Sequence, residues 1–191
     1  GPYFKGGDTS VAITVSDYDR AAPHGTGNIK AGLNYAMSLY PHEKAHAEGY
    51  AENLYLDPAS RTYVEETGGA NILLVDREGN LVVPQSHSDS ILPSITRRSL
   101  VALGRDVMGL NVIERPVKFS ELQAGDFVEC GMCGTAAVIS PVARVHSHEG
   151  DIEFPASQDG CGPVLKKLRA EFPGIQACDI EGPEGWVCVV C

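Results

Sequence analysis

The sequence predicts an α+β fold built on a large mixed or antiparallel β-sheet. Two observations carry this. Short segments of β-branched or alternating apolar residues outnumber helical ones, and several are joined by hairpin-type turns. A doubly wound sheet would alternate strand and helix along the whole chain instead.

The elements follow in order. Val11 to Val15 is a β-branched run and reads as a strand. A turn-rich loop follows from Ala21 to Asn28, centred on His24-Gly25-Thr26-Gly27. A helix is expected from about Lys30 to Glu48, with Leu33, Met37, Tyr40 and Ala47 marking one face and Gly49 as its C-cap. Pro41 within it predicts a kink or two shorter helices. Strands are expected over Asn53 to Asp57, Thr62 to Glu66, Ile72 to Asp76 and Leu81 to Val83, the last two joined by the turn Arg77-Glu78-Gly79-Asn80. From Ser94 to about Gly109, the spacing of Ile95, Leu100, Val101, Leu103, Val107 and Met108 predicts an amphipathic helix, capped by Ser94 or Thr96. Val112 to Val117 reads as a strand, and Phe119 to Ala124 as a short helical turn. Strands are expected again over Phe127 to Cys130 and Ala136 to Val142. A helix from Val164 to Phe172 begins after Gly162-Pro163, and Trp186 to Val190 reads as a closing strand.

Composition narrows the function. With 191 residues, 43% of them hydrophobic, the chain has the size and apolar content of one folded domain. A formal net charge of −10 and the lack of any Lys/Arg cluster larger than a pair disfavour binding to nucleic acid or an anionic membrane surface. No apolar run approaches the ~20 residues of a membrane-spanning helix. Six cysteines are too few for a disulfide scaffold, and they read as reduced thiols of a cytoplasmic protein. The start, Gly1-Pro2-Tyr3-Phe4, lacks an initiator Met and the features of a signal peptide, which leaves a processed chain or a fragment open.

Two motifs point to metal. His42-Glu43-Lys44-Ala45-His46 fits H-E-x-x-H on a helix, where two histidines share a face and could hold zinc with the glutamate as base. That pattern predicts a zinc metallopeptidase, with Glu52 as a further carboxylate. The competing view is a solvated helix face, with His42 in a first turn after Pro41. The pairs Cys130-Gly-Met-Cys133 and Cys188-Val-Val-Cys191 lie much farther apart than the two halves of a zinc ribbon. One pair also lies in an expected strand, where residues i and i+3 face opposite ways. His146 and His148 share a strand face but form no wider cluster.

A third constellation is richer. Lys30 sits among small residues at a helix start, five residues before Tyr35. A lysine that forms a covalent carbonyl adduct needs an uncrowded, partly desolvated pocket. Glu66 ends a strand and is followed by Thr67-Gly68-Gly69-Ala70, so a carboxylate held there could meet a ring nitrogen. Ile95 and Thr96 open a helix whose free N–H groups and positive dipole end suit a phosphate. Gly134-Thr135-Ala136 forms a glycine turn with a hydroxyl, a second anion nest. Amine, acid and two phosphate cradles together suggest pyridoxal phosphate.

Several segments stand in the order in which a known family carries them. They are Tyr18-Asp-Arg-Ala-Ala-Pro23, Gly25-Thr-Gly27, Lys30-Ala-Gly-Leu-Asn-Tyr35 and Tyr63-Val-Glu-Glu66, then Ile91-Leu-Pro-Ser-Ile-Thr-Arg97, Glu114-Arg-Pro-Val117, Gly134-Thr-Ala-Ala-Val-Ile-Ser-Pro-Val142 and Gly174-Ile-Gln176. The chain resembles the branched-chain amino acid aminotransferases, fold-type IV enzymes that use pyridoxal 5'-phosphate, from Gly1 to about Trp186. The resemblance implies a sheet curled into a pseudo-barrel with flanking helices. It implies amino transfer from Val, Leu or Ile to 2-oxoglutarate by a homodimer. It assigns Lys30 as the catalytic lysine that carries the cofactor, Tyr35 to the cofactor's phenolic oxygen and Glu66 to its pyridine nitrogen. Ile95, Thr96 and Thr135 match the phosphate contacts, and Tyr3, Gly69 and Ala136 match positions that line the substrate.

Some positions depart from the family pattern. Gly68-Gly69-Ala70 stands where relatives often read Gly-Thr-Met, and Leu33 where they commonly have a second glycine. Ala137 and Ser140 occupy the positions of the redox cysteine pair of mammalian members, so that redox role is not carried over. The resemblance also divides the chain. Residues 1–17 match an interdomain segment and first strand, and residues 18–191 match the cofactor-binding large domain. On this view the N-terminal small domain is absent. That domain supplies one wall of the substrate pocket, an arginine on the cofactor phosphate and part of the dimer surface. The third possibility is a domain of this fold that no longer catalyses.

Overall fold

The computed structural model describes residues 9–188. Strands β1 (Val11–Val15), β2 (Asn53–Leu56), β3 (Tyr63–Thr67), β4 (Asn71–Asp76) and β5 (Leu81–Pro84) come first, with helix α1 (Gly32–Ala47) after β1. Helix α2 (Ile95–Ala102) runs directly into a π-helical turn, Leu103–Val107. Then come β6 (Val112–Arg115), β7 (Val117–Lys118), α3 (Phe119–Gln123), β8 (Phe127–Gly134), β9 (Val138–Ser147), β10 (Gly150–Glu153) and α4 (Pro163–Gln176).

Six strands close a ring in the order β3, β4, β8, β9, β1, β2 and back to β3. Strand β1 lies parallel to β2 and β9, while β2–β3, β3–β4, β4–β8 and β8–β9 are antiparallel. Strands β5 and β6 extend the sheet from β4, and β7 and β10 are short additions on β3 and β9. The mixed sheet and its curl into a pseudo-barrel are those expected.

One apolar cluster takes side chains from all six ring strands, including Ile13, Leu54, Val64, Ile72, Leu74, Met132 and Val145, and so fills the inside of the ring. A second, with Leu73, Val75, Leu81, Leu100, Leu165 and Leu168, lies between the outer face of β4, β5 and β8 and helices α2 and α4. Strand β4 alternates Ile72 and Leu74 inward with Leu73 and Val75 outward. With both faces covered, its sequence reads as a continuous apolar run rather than an alternation.

One irregularity decides where the polar residues go. Leu54 pairs with Thr67 and Leu56 with Val64, so Tyr55 alone opposes both Glu65 and Glu66. This is a β-bulge, which re-aims the side chains of the bulged strand. Two consecutive carboxylates thereby meet the same outer segment, Ser86 to Leu92.

Several local expectations hold. Ser94 caps α2 by accepting the Arg97 N–H at 3.2 Å. Gly79 takes φ 84 in the β4–β5 turn, and Gly49 takes φ 89 after α1. Others are corrected. Helix α1 is continuous through Pro41, and its buried residues are Asn34, Pro41 and Ala45. The expected apolar face, Leu33, Met37 and Tyr40, is exposed instead, because the helix rests on the ring through its small and polar side. The α2 region is α-helical only to Ala102 before the π turn. Strands β8 and β9 are longer than expected, α4 continues through Pro173, and β10 is unanticipated. Trp186 to Cys188 form no strand, and the rest of that expected strand lies outside the described residues.

Candidate active site

Glu66 stands at the end of β3 and is 3% exposed. Its Oε1 accepts the Leu92 N–H at 2.8 Å and lies 2.7 Å from Arg20 Nη2. Its Oε2 accepts from Asn71 Nδ2 at 2.6 Å. Burial pushes the carboxyl up to about 7, and neighbouring Glu65 acts in the same direction. The Arg20 charge, the Leu92 N–H and Arg97 pull it back down. A carboxylate offers about four lone-pair sites. The Leu92 N–H takes one on Oε1, which the Arg20 guanidinium also faces as an ion pair, and Asn71 takes one on Oε2, leaving a lone pair free on Oε2.

The register places Glu66 beside Asn71 and Asn71 beside Cys133, across β3, β4 and β8. A Cβ on Gly134 would lie 3.8 Å from the Gly69 carbonyl, so the β8–β9 turn holding Thr135 and Ala136 abuts the Gly68–Gly69 turn. Val138, at φ 61, closes that turn in a conformation β-branched residues rarely adopt. From the same rim, Leu92 leads through Ser94 into α2. The N–H groups of Ile95 and Thr96 precede the first intrahelical bond and have no carbonyl partner within the helix.

The lysine loop reaches this rim from the other side. Arg20 Nη2 donates to the Gly27 carbonyl at 2.9 Å and also to that of Ser90. Gly27 packs directly on Ser90, where a Cβ would collide with the backbone. Buried Asn34 fixes the next turn, its Nδ2 donating to Thr26 O at 2.7 Å and Ile29 O at 2.8 Å. Lys30 follows, with Nζ donating to Tyr35 Oη at 2.8 Å.

The residues singled out in the sequence thus fall into groups. Glu66, Gly69, Thr96, Thr135 and Ala136 gather around the ends of β3 and β8 and the start of α2. Thr96 is buried, while Ile95, Thr135 and Ala136 are exposed. Lys30, in the loop just before α1, and Tyr35, in its first turn, form a pair, and both are exposed rather than enclosed in the tight pocket expected. Tyr3 lies outside the described residues. No sequence signal pointed to Arg20, Asn71 or the Leu92 N–H as partners of Glu66. A buried arginine in a turn-rich loop looks like a solvated one until its partner strand is placed.

The other motifs lead elsewhere. His42 Nδ1 lies 3.4 Å from Glu52 Oε1, and His46 Nε2 lies 3.1 Å from the Ala51 carbonyl. Among the described residues, no group of three His, Cys, Asp or Glu is placed to hold a metal ion. Cys130 joins the inner cluster and Cys133 the outer one, on opposite faces of β8. Burial pushes both thiols up, Cys133 to about 12. His146 Nδ1 contacts Asp151 Oδ1 at 2.6 Å, and His148 Nε2 contacts Asp17 Oδ1 at 2.8 Å.

The ring with its acid, amine and helix start has known counterparts. A family model, amino-transferase class IV, matches residues 2–145, and the chain belongs to that family. Within it, the chain is similar to branched-chain-amino-acid aminotransferases. One, from Haemophilus influenzae, is 45% identical over the whole chain. The crystal structure of the Escherichia coli branched-chain amino acid aminotransferase superposes with a TM-score of 0.79 at 32% identity, covering 96% of this chain and 58% of that one. A T.th. branched-chain amino acid aminotransferase, complexed with N-(5'-phosphopyridoxyl)-L-glutamate, superposes at 0.78 with 28% identity, covering 95% and 57%. The chain spans about half the length of the curated relatives it matches, 55% of the Haemophilus protein.

The residues present suit a ligand of three parts. The free lone pair on Glu66 Oε2 suits a protonated ring nitrogen, and the first N–H groups of α2 suit a phosphate. The Lys30 amine, hydrogen-bonded to a phenol, suits a carbonyl carbon.

Proposed function

We propose that this chain is the lysine-bearing part of a branched-chain aminotransferase that binds pyridoxal 5'-phosphate. In this reading it exchanges the amino group of Val, Leu or Ile with 2-oxoglutarate. The observation that carries the reading is the Glu66 carboxylate, buried, paired with Arg20 and held by two hydrogen-bond donors, with a lone pair left on Oε2. When bound, pyridoxal 5'-phosphate supplies a carbonyl that exchanges amines and a ring that accepts the electron pair left at the substrate Cα.

The chain's own residues divide the remaining work. Glu66 Oε2 keeps a proton on the ring nitrogen. Lys30 Nζ holds the group in place and moves the proton at the substrate Cα. The Tyr35 hydroxyl, 2.8 Å from Nζ, orients that amine and meets the phenolic oxygen. Ile95 and Thr96 offer backbone N–H groups to the phosphate, and the Thr135 hydroxyl a further contact. Tyr3, Gly69 and Ala136 line the substrate. The phosphopyridoxyl-glutamate conjugate held by the T.th. relative supports glutamate and 2-oxoglutarate as one substrate pair.

Residues 18–191 form the cofactor-binding unit in this proposal, and residues 1–17 lead into it. In a protein of the relatives' full length, a small domain covers the exposed face of Lys30 and Tyr35, and the protein acts as a homodimer. We place it in the cytoplasm, which buried cysteines without disulfides such as Cys130 and Cys133 support. Among the described residues, no helix is long and apolar enough to cross a membrane.

The test is a half-reaction. Protein loaded with pyridoxal 5'-phosphate and given leucine should release the 2-oxo acid, and added 2-oxoglutarate should then yield glutamate. A cofactor spectrum unchanged from that of free pyridoxal 5'-phosphate on adding the protein, or stoichiometric zinc on His42 and His46, overturns the reading.

A further inference from the structure

We propose that Arg20 is a positioning residue of this site, holding the Glu66 carboxylate in its charged form and tying the lysine loop to the entrance of α2. The inference rests on the reading of Glu66 as the partner of a ring nitrogen.

Arg20 is 7% exposed and lies within the wall of the site. Its Nη2 touches three separate segments: Glu66 Oε1 on β3, the Gly27 carbonyl and the Ser90 carbonyl. Gly27 stands three residues before Lys30. Ser90 stands two before Leu92, whose N–H reaches the same carboxylate oxygen. Ser90 is itself anchored, its hydroxyl donating to Glu65 Oε1. One guanidinium therefore connects the lysine loop, the bulged strand and the helix that faces the phosphate.

Packing alone does not account for an arginine here. Its Nε is buried without an acceptor, which costs stability that an apolar side chain of equal size would not. What the arginine supplies is charge. The ionisable groups facing Glu66 are Glu65 from its own strand, Arg97 from α2, Cys133 from β8 and Arg20. Burial and Glu65 favour the neutral acid, and Arg20 is the foremost opposing influence. A neutral Glu66 would carry its own proton and lose the attraction that keeps one on a ring nitrogen.

The test compares Arg20→Met and Arg20→Lys with the unaltered protein, first without cofactor. Melting temperature is followed across about pH 4–9. In the unaltered protein the fall in stability caused by charging buried Glu66 should end near neutral pH. In Arg20→Met it should continue to higher pH, and Arg20→Lys should return most of the way. With pyridoxal 5'-phosphate, Arg20→Met should bind about fivefold more weakly at neutral pH, for an upward shift of one unit from about 7. Parallel melting curves for Arg20→Met and the unaltered protein overturn the proposal, as does an Arg20→Lys curve no closer than that of Arg20→Met. Should Arg20→Met not fold, adding Glu66→Gln must restore folding, because both charges are then gone; failure to do so overturns the proposal. If the unaltered protein binds no cofactor, the functional reading fails, while the melting series still decides the role of Arg20.

Discussion

Arg20 Nη2 lies 2.7 Å from Glu66 Oε1, with the two side chains 7% and 4% exposed. A buried pair of this kind is poised between two states. The attraction favours ionisation, and the lost hydration opposes it.

Stability should therefore depend on pH through Glu66. Burial first of all pushes this acid from its ordinary 4.5 up to about 7. Its contribution is full below 4.5, where folded and unfolded chains both hold the proton. It is lost as pH rises through about 7, where the folded chain must charge a buried acid. The change is about 3 kcal/mol. Asp57 and Glu121 behave oppositely. Burial raises both, but hydrogen bonds and, for Glu121, the Arg115 charge outweigh it and hold them below the usual carboxylate range. Their contributions are lost on acidification. The cofactor-free protein should be most stable on the acid side of neutrality, which urea midpoints across this range will check. A rise in stability from about pH 5 to 7 would contradict it.

Lys30→Ala should abolish the visible absorbance that pyridoxal 5'-phosphate gains on the protein, since among the described residues no other amine is paired with Tyr35 in this way. Far-ultraviolet circular dichroism should be unchanged, because Lys30 is exposed. A retained band in this variant would sink the assignment.

Gly27→Ala tests the seam between the lysine loop and Ser90. The added Cβ has nowhere to go but into the Ser90 backbone. The loss should be roughly 1–3 kcal/mol, as for other overpacked contacts. Chemical denaturation measures the loss, and cofactor affinity should fall with it because Arg20 bonds both carbonyls.

Glu129 provides a comparison away from the site. This 2% exposed carboxylate on β8 accepts the N–H groups of Val164 at 3.0 Å and Leu165 at 2.9 Å, and so caps α4. Glu129→Ala should cost about 1–2 kcal/mol. Hydrogen exchange should quicken first at those two amides. Unchanged protection there would show that α4 does not depend on this cap.

The 191-residue chain by itself is expected to fold and to bind the cofactor weakly while transaminating poorly, because Lys30 and Tyr35 are open to solvent. Steady-state assay of that chain beside a protein of the relatives' full length is the measurement. Robust turnover by the shorter chain alone would refute it.

Local chemistry made much of the framework legible. The turn at Arg77-Glu78-Gly79-Asn80, the Ser94 cap and the Gly162-Pro163 helix start were all readable, because each depends on neighbours a few residues away. The α1 stripe misled for a related reason. Periodicity locates an apolar face, but it does not say whether anything lies against it, and here Leu33, Met37 and Tyr40 face outward. Strand β10 escaped notice because Gly150-Asp-Ile-Glu153 carries only one buried apolar residue.

By itself, then, the sequence determined the class of fold and most of its elements, and it singled out Lys30, Glu66 and the start of α2 as the amine, acid and helix start of the proposed site. Only the tertiary structure decided what holds Glu66. A single bulge opposite Tyr55 turns Glu65 and Glu66 toward one outer segment. The β3–β4 pairing then brings Asn71 against the carboxylate, the segment before α2 brings the Leu92 N–H, and the loop after β1 delivers Arg20 to it. Register shifts and distant pairings leave no periodic trace, because side-chain patterning records which face of a strand is buried and not which residue lies across from it.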